Sequence, residues 1–349
     1  MASTMRSNVW LSSVLSVFAS HAALGAGVCA SVGNAVPVKD GRGKITDGAA
    51  RDAAAAAVRQ CVSGYATGRP RLIVVIENIR RTRAIAEGVR AAAGGVPFCG
   101  VNTAGYASLS SRGFPSKDVP AISALAIGGD ALDVQVKRVE LPKITGAEYA
   151  WALKGEAMYR AAAEHARAGR ELLQSFDRPR DGASQLLVVL GTLHNPRQTW
   201  FAVGVTANAP KELHVIGGAG ADFGSVYHEG ASHSNSALGI LISGEFSIGV
   251  AGEENARDIP RQLAGVMKRA WSQVGSGTPR LALYFGCASW HRQLDAQRET
   301  FADRLGETFP LFGQFCGGEI GRLDRGRKVT AKANLAVLAI LAPLSARER

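Results

Sequence analysis

Much that would announce chemistry is missing from this chain. Aromatic residues make up 7% of its 349 positions. No run of lysine and arginine is interleaved with them, which argues against a nucleic-acid platform. Its glycine-rich pieces lack the Lys-Ser/Thr of a phosphate-binding loop and the GxGxxG of a dinucleotide site, so no cofactor is expected. There is no HExxH arrangement. His228 and His233 stand five apart with only Glu229 between them as an acid, and no metal is expected there. The five cysteines, Cys29, Cys61, Cys99, Cys287 and Cys316, follow neither a disulfide framework nor a metal-site spacing. Cys61 and Cys99 lie in apolar settings and read as small core residues. Beyond residue 30 no stretch reaches the apolar length of a membrane span.

What is present describes a globular protein. Hydrophobic residues reach 46% and charged ones 20%, enough to bury a sizeable core. The net charge of +11 is spread along the chain, which suggests a solvated basic surface with some preference for anionic ligands. The length allows two domains or one large composite. Arg6, an acid-free and serine-interrupted apolar run from Val9 to Leu24, and small residues up to Ala30 read as a secretory signal peptide over residues 1–30. Export to a periplasmic or extracellular space is therefore expected. An organellar presequence or a plain N-terminal segment are the alternatives.

Three apolar runs, Leu72–Ile76, Leu186–Leu190 and Leu281–Phe285, have the continuous character of strands buried on both faces. Each is followed, roughly thirty residues after its start, by a short apolar stretch punctuated with glycine. These stretches are Val96–Gly105, Leu213–Gly220 and Phe309–Ile320, and they read as strands stopped by tight turns. Ala121–Val139 and Ala237–Val250 read as hairpins. A helix capped by Asp47 runs to about Val62, and Thr82–Ala93, Glu148–Phe176 and Ser289–Leu305 are helical. Pro260 opens another helix, whose Met267 and Trp271 read as core packing. The expected fold is α/β, a repeated β-α-β-turn-β unit with mixed sheets and a shortened third copy.

Several of these pieces together resemble the FIST family (F-box and intracellular signal transduction proteins). Leu72–Ile76, Gly100-Val-Asn-Thr-Ala-Gly105, Ile216-Gly-Gly-Ala-Gly-Ala-Asp222 and Val226-Tyr-His-Glu-Gly230 are similar to its N-terminal region. Tyr284-Phe-Gly-Cys287, Phe312-Gly-Gln-Phe-Cys-Gly-Gly-Glu-Ile320 and Asn334–Leu338 are similar to its C-terminal region. The resemblance implies two FIST-type halves packed together, an N-terminal-type domain over 31–255 and a C-terminal-type domain over 256–349. It also implies a stand-alone sensory module for a small polar ligand, with amino acids among the proposals, whose output passes through an unknown signalling partner protein. Where family members carry an arginine close behind the cysteine, Trp290 and His291 intervene here before Arg292.

The residue chemistry fits such a ligand. Cys287 stands between a strand and a helix start, where N–H groups favour negative charge. Arg292 lies one turn on, placed to clamp a carboxylate, and Glu319 is placed to take an ammonium. Asn102, Thr103 and Asp222 occupy comparable turns. The ligand-binding set is thus Cys287, Arg292, Glu319, Asn102, Thr103 and Asp222, without turnover. The rival reading is a cysteine-dependent enzyme in which His291 activates Cys287 and Cys316 serves as a resolving partner. No acid is clearly placed to orient His291, so an enzyme is not expected. A third reading is a purely structural or interaction protein.

Overall fold

The computed structural model describes residues 27–344 apart from 67, 104–107, 111–118, 131, 145–149, 178–181, 208, 221–223, 255–257, 324–327 and 333–334. Within its elements the side chains at 108, 109, 151, 291, 292, 322, 323 and 328–332 also lie outside the description. No helix of it is long and apolar enough to cross a membrane.

A strand that is apolar at every position needs cover on both faces. Each of the three apolar runs receives it by becoming the centre of its own sheet. The first stretch of chain contains β1 (Cys29–Ala35), α1 (Asp47–Ser63), β2 (Leu72–Glu77), α2 (Thr82–Ala92), β3 (Phe98–Asn102), β4 (Ser108–Ser110) and β5 (Ile122–Gly128). The second contains β6 (Leu132–Glu140), α3 (Gly155–Gln174), β7 (Ser184–Gly191), α4 (Arg197–Ala207), β8 (Leu213–Ala219), β9 (Ser225–His228), β10 (Ala231–Ser234) and β11 (Ser236–Gly244). The third contains β12 (Phe246–Glu254), α5 (Ile259–Gln273), β13 (Leu281–Cys287), the 3₁₀ helix Ala288–Gln293 and α6 (Leu294–Leu305). It continues with β14 (Leu311–Cys316), β15 (Gly318–Leu323), β16 (Lys328–Lys332) and β17 (Leu335–Pro343).

One plan is repeated in all three. The sheet orders are β1-β5-β2-β3-β9-β10, β6-β11-β7-β8-β15-β16 and β12-β17-β13-β14-β4. In each, the central strand runs parallel to the next strand of its own unit (β2 with β3, β7 with β8, β13 with β14) and antiparallel to the last (β5, β11, β17). The strand beyond the parallel pair always comes from another unit. Sheet one takes β9 from unit two, sheet two takes β15 from unit three, and sheet three takes β4 from unit one. The exchange closes a ring. The inner faces share one apolar core that includes Val74 and Ile76, Val188 and Leu190, and Leu283 and Phe285. Each outer face is covered by its own helix pair.

The strand readings hold, the third unit is complete rather than shortened, and several details differ. The expected hairpins are not hairpins: β5 pairs with β1 and β2, and β6 pairs with β11. Likewise β11 lies in sheet two and β12 in sheet three. A short turn after the last strand of one unit starts the first strand of the next, and alternation alone cannot tell such a crossing from a hairpin. The long helix is shorter than expected, Gly155–Gln174 rather than Glu148–Phe176. Thr46, not Asp47, caps α1, its side chain accepting from the Ala49 N–H. Finally, Met267 is buried but Trp271 keeps 39% of its surface exposed.

The glycines expected to stop strands lie inside them. Gly100, Gly217 and Gly313 hold corresponding places in β3, β8 and β14. A Cβ there would fall 2.0, 2.1 and 1.7 Å from the carbonyl oxygens of Val75, Val189 and Tyr284. The parallel partner crowds the site a side chain would need. Replacing any of the three by alanine is therefore expected to cost about 1–3 kcal/mol or more, read by denaturant unfolding. Gly41→Ala, where an added Cβ meets nothing within 4 Å, should leave the midpoint where it is.

Candidate functional site

The parallel strand pairs end at one pole of the ring. The Thr103 N–H donates to the Glu77 carbonyl (2.7 Å), Gly220 N–H to Gly191 (2.8 Å) and Gly317 N–H to Ala219 (3.0 Å). A Cβ on Gly220 would lie 3.1 Å from Thr103 Cα, so the ends of β3 and β8 meet.

One residue past each crowded glycine the side chain turns to the inner face, and there the three units differ. The residues are Val101, Gly218 and Gln314. Across the exchanged strands their register partners are Val226, Glu319 and Ser108. Val101 and Val226 join the apolar core. Gln314 and Glu319 put a carboxamide and a carboxyl beside it, both fully buried. Gln314 Oε1 has no hydrogen-bond partner, and the side-chain amide lies beside the Cys316 thiol, on which its hydrogen bond acts. Glu319 Oε2 accepts from the Leu335 N–H (3.1 Å), while Oε1 has no partner. The Cys316 thiol donates to the Gln314 carbonyl (3.5 Å). A Cβ on Gly218 would fall 2.1 Å from Cys316 Sγ, 2.7 Å from Gln314 Nε2 and 2.9 Å from Phe285 Cδ1. The missing side chain at 218 is what lets these three groups gather. Beside them the inner core leaves a cavity of about 20 Å³, lined by Phe285 and Phe312 among others.

Burial sets the charge of this cluster. It pushes the Glu319 carboxyl well above the usual carboxylate range, against the opposing hydrogen bond from Leu335. It also raises the Cys316 thiol, with the Glu319 charge as the next cause. Tyr284 is raised by burial first, then by Glu319, Cys316 and Cys287. On β16 the register partner of Glu319 is Lys332.

A second buried acid lies on the outer face of the first sheet. Glu77 Oε1 accepts from the Tyr227 hydroxyl and from Asn102 Nδ2 (2.6 Å), and Oε2 accepts from the Ile79 N–H (2.5 Å). Asn102 Nδ2 also reaches the Ile79 carbonyl (2.6 Å), and Thr103 Oγ1 donates to the Glu77 carbonyl (3.2 Å). Tyr227 belongs to β9, so this cluster ties the exchanged strand to its host sheet. Burial raises the Glu77 carboxyl to about 7, against the hydrogen bonds from Tyr227, Ile79 and Asn102.

The expected site residues therefore separate. Glu319 faces inward, whereas Asn102 and Thr103 bond to Glu77. Cys287 is 6% exposed, with Sγ 3.0 Å from Ser289 Oγ, and it pairs in register with Cys316. The backbone of His291 and Arg292 lies in the 3₁₀ helix after β13, and their side chains are outside the described residues, as is Asp222 altogether. Sequence reasoning missed Gln314, Gly218, Glu77 and Tyr227. A signal existed for two of them: Gln314 is the polar residue of Leu-Phe-Gly-Gln-Phe-Cys, and Glu77 closes the run Leu-Ile-Val-Val-Ile-Glu. Gln198, from α4, is a fully buried amide without a partner, and it lies on the far side of β15 against Gly318.

Comparison with known proteins places residues 71–264 under a family model described as the FIST N domain. A search of curated proteins found no match. Two solved structures match along most of this chain. One is a cyanuric acid hydrolase described as evolutionary innovation by structural concatenation (9% identity, TM-score 0.45). The other is the cyanuric acid hydrolase from A. caulinodans (10% identity, TM-score 0.43). Each match covers 91% of this chain and 100% of the other. The expectation that this chain is not an enzyme is corrected by these matches, since both structures are enzymes. At such identities and scores the likeness gives no reaction and no residue for this chain.

The Glu77 cluster has a consequence for stability. The folded carboxyl ionises near 7 and an unfolded one near 4.5, so between these values the folded state holds the extra proton. Its contribution is complete below pH 4.5 and is lost as pH rises through 7, about 3 kcal/mol in all. Thermal unfolding from pH 5 to 8 should show a falling midpoint, with a shallower fall in Glu77→Gln.

Proposed function

Because this chain belongs to the FIST family, whose domain implies a sensory, ligand-binding role, we propose that it recognises a small polar molecule, an amino acid, at the pole where β3, β8 and β14 end. The observation that carries this reading is the fully buried Gln314 carboxamide, whose Oε1 has no partner. A buried polar group without a partner costs about 1–3 kcal/mol. Native folds rarely retain one without a use. Glu319 Oε1 stands open on the same inner face. Arg292, leaving β13 on the 3₁₀ helix, is the cation that would meet a ligand carboxylate. Cys287, Thr103 and Asn102 stand at the ends of strands at this pole, and Asp222 lies outside the described residues. A partner protein would convert occupancy into a signal. Gln314 and Glu319 are fully buried, so the pole has to open for a ligand to enter, and association should be slower than the usual range of about 10⁵–10⁷ M⁻¹s⁻¹.

Gln314→Leu separates binding from folding. Removing an amide with an unsatisfied oxygen while keeping apolar volume should hold or raise the unfolding midpoint of the unliganded protein. The ligand-dependent rise of that midpoint across a panel of amino acids, small carboxylates and amides should vanish. Mass spectrometry of the recovered ligand reads turnover in the same samples. A ligand response that survives both Gln314→Leu and Glu319→Ala would move the site elsewhere.

A further inference from the structure

We infer that Arg197 and His165 form an acid-released latch. At neutral pH their hydrogen bond fastens the root of the exchanged β9–β10 arm to its own unit, and a proton on His165 opens it. The inference does not depend on the ligand reading above.

The latch is a hub of hydrogen bonds around one buried guanidinium. Arg197, at the start of α4, is 4% exposed, and His165, in the middle of α3, is fully buried. Arg197 Nε donates to His165 Nε2 (2.9 Å). Nη2 donates to Asn235 Oδ1 (2.7 Å) and to the Pro142 carbonyl (3.4 Å), and Nη1 donates to the Thr192 carbonyl (3.4 Å). The end of β6, α3, the turn after β7, α4 and the link between β10 and β11 all meet there. Asn235 is that link. Its backbone is in the left-handed region (φ 47°), its side-chain amide donates to the Leu141 carbonyl, and its own carbonyl accepts from the Leu141 N–H (2.8 Å). A left-handed asparagine persists because its surroundings hold it, and Arg197 supplies part of the hold. The two strands just before it, β9 and β10, belong to sheet one.

The protonation of the ring follows from its two bonds. Nδ1 lies 2.7 Å from the Ala161 carbonyl, which can only accept, so Nδ1 carries the hydrogen. Nε2 faces an arginine N–H, which can only donate, so Nε2 is bare. A proton on Nε2 would remove this acceptor and set two cations side by side where little water can screen them. An ordinary histidine takes up its proton near pH 6.5. The opened latch therefore binds a proton that the closed one excludes. Its hold is complete above about 6.5 and weakens as pH falls below that, by up to about tenfold per pH unit. Among the charged groups around His165, α4 brings only Arg197 and β11 brings none. His194, before α4, has Nδ1 3.2 Å from the Asn195 carbonyl. On β6, Arg138 donates to Ser236 Oγ (3.2 Å). Glu140, Lys143, Glu164, Arg167 and Glu171 line an open groove between the end of β6 and α3. Lys328 and Lys332 belong to β16, which packs on α4, and their side chains lie outside the described residues.

Hydrogen exchange of the full-length chain at pH 7.5 and 5.0, read by mass spectrometry and corrected for the intrinsic pH dependence of exchange, tests the latch. Protection over residues 225–236 should fall roughly 10- to 30-fold on acidification, as expected for about 1.5 pH units below 6.5, while β2 and β7 keep theirs. Glu77 cannot produce this loss, because its contribution grows as pH falls. In His165→Gln the amide oxygen can accept from Arg197 and does not titrate, so the acid loss should shrink to less than about threefold. Nitrogen-15 NMR of the unmodified protein gives a reading that needs no variant: at pH 7.5 the His165 ring should carry its hydrogen on Nδ1 and none on Nε2. Equal protection of 225–236 at both pH values would overturn the latch. So would an acid loss as large in His165→Gln, or a ring with its hydrogen on Nε2 at pH 7.5.

Discussion

The exchange of one strand between neighbouring units is the constraint on which the rest depends. Each central strand is apolar on both faces, so each sheet needs cover inside and outside. Helices provide the outer cover, and the other two sheets provide the inner. Without β9, β15 and β4 the sheets would end at β3, β8 and β14 and leave open edges, a liability that folded chains cover or close. Because each unit completes another, the contacts that hold one sheet also hold the ring. The Tyr227 hydroxyl on the Glu77 carboxylate fastens one of these joints from outside.

That architecture also explains how a polar cluster survives in an apolar interior. Three structurally matching positions carry Val101, Gly218 and Gln314. The first is ordinary core, the second makes room, and the third uses the room. Glu319 faces the same space because β15 pairs with β8 at Gly218. The site needs parts of two units and exists only once the ring has closed. Apolar packing around it, from Phe285 and Phe312 among others, holds the orphaned groups where water cannot satisfy them. The same burial raises the Glu319 carboxyl well above the usual carboxylate range.

Much of the fold was legible in the residues. Leu72–Ile76, Leu186–Leu190 and Leu281–Phe285 are central strands as their continuous apolar character requires, and their spacing revealed the repeat. What could not be read was partnership. The alternation across 121–139 and 237–250 describes strands with two unlike faces and says nothing about which sheet each joins. The glycines at 100, 217 and 313 resemble turn glycines because sequence does not show the carbonyl that crowds them. For the site, Glu319 was visible as an acid in a glycine-rich stretch, but the upward shift of its carboxyl follows from burial, a tertiary property. Gln314 is one polar residue in an apolar strand, and only its partnerless Oε1 marks it. Asn102 and Thr103 looked alike as turn residues until Glu77 and Tyr227 supplied their contacts.

The central claim is that Gln314 is left open for a ligand. It is tested most directly by the side-chain amide resonances of Gln314, assigned by comparison with Gln314→Leu, during titration with whichever amino acid, small carboxylate or amide raises the unfolding midpoint. The account predicts that these NH₂ signals move and saturate as that ligand is added, while the side-chain amide of Gln198, behind β15, stays in place. Signals that do not move while a ligand binds would contradict the account and place recognition elsewhere in the ring.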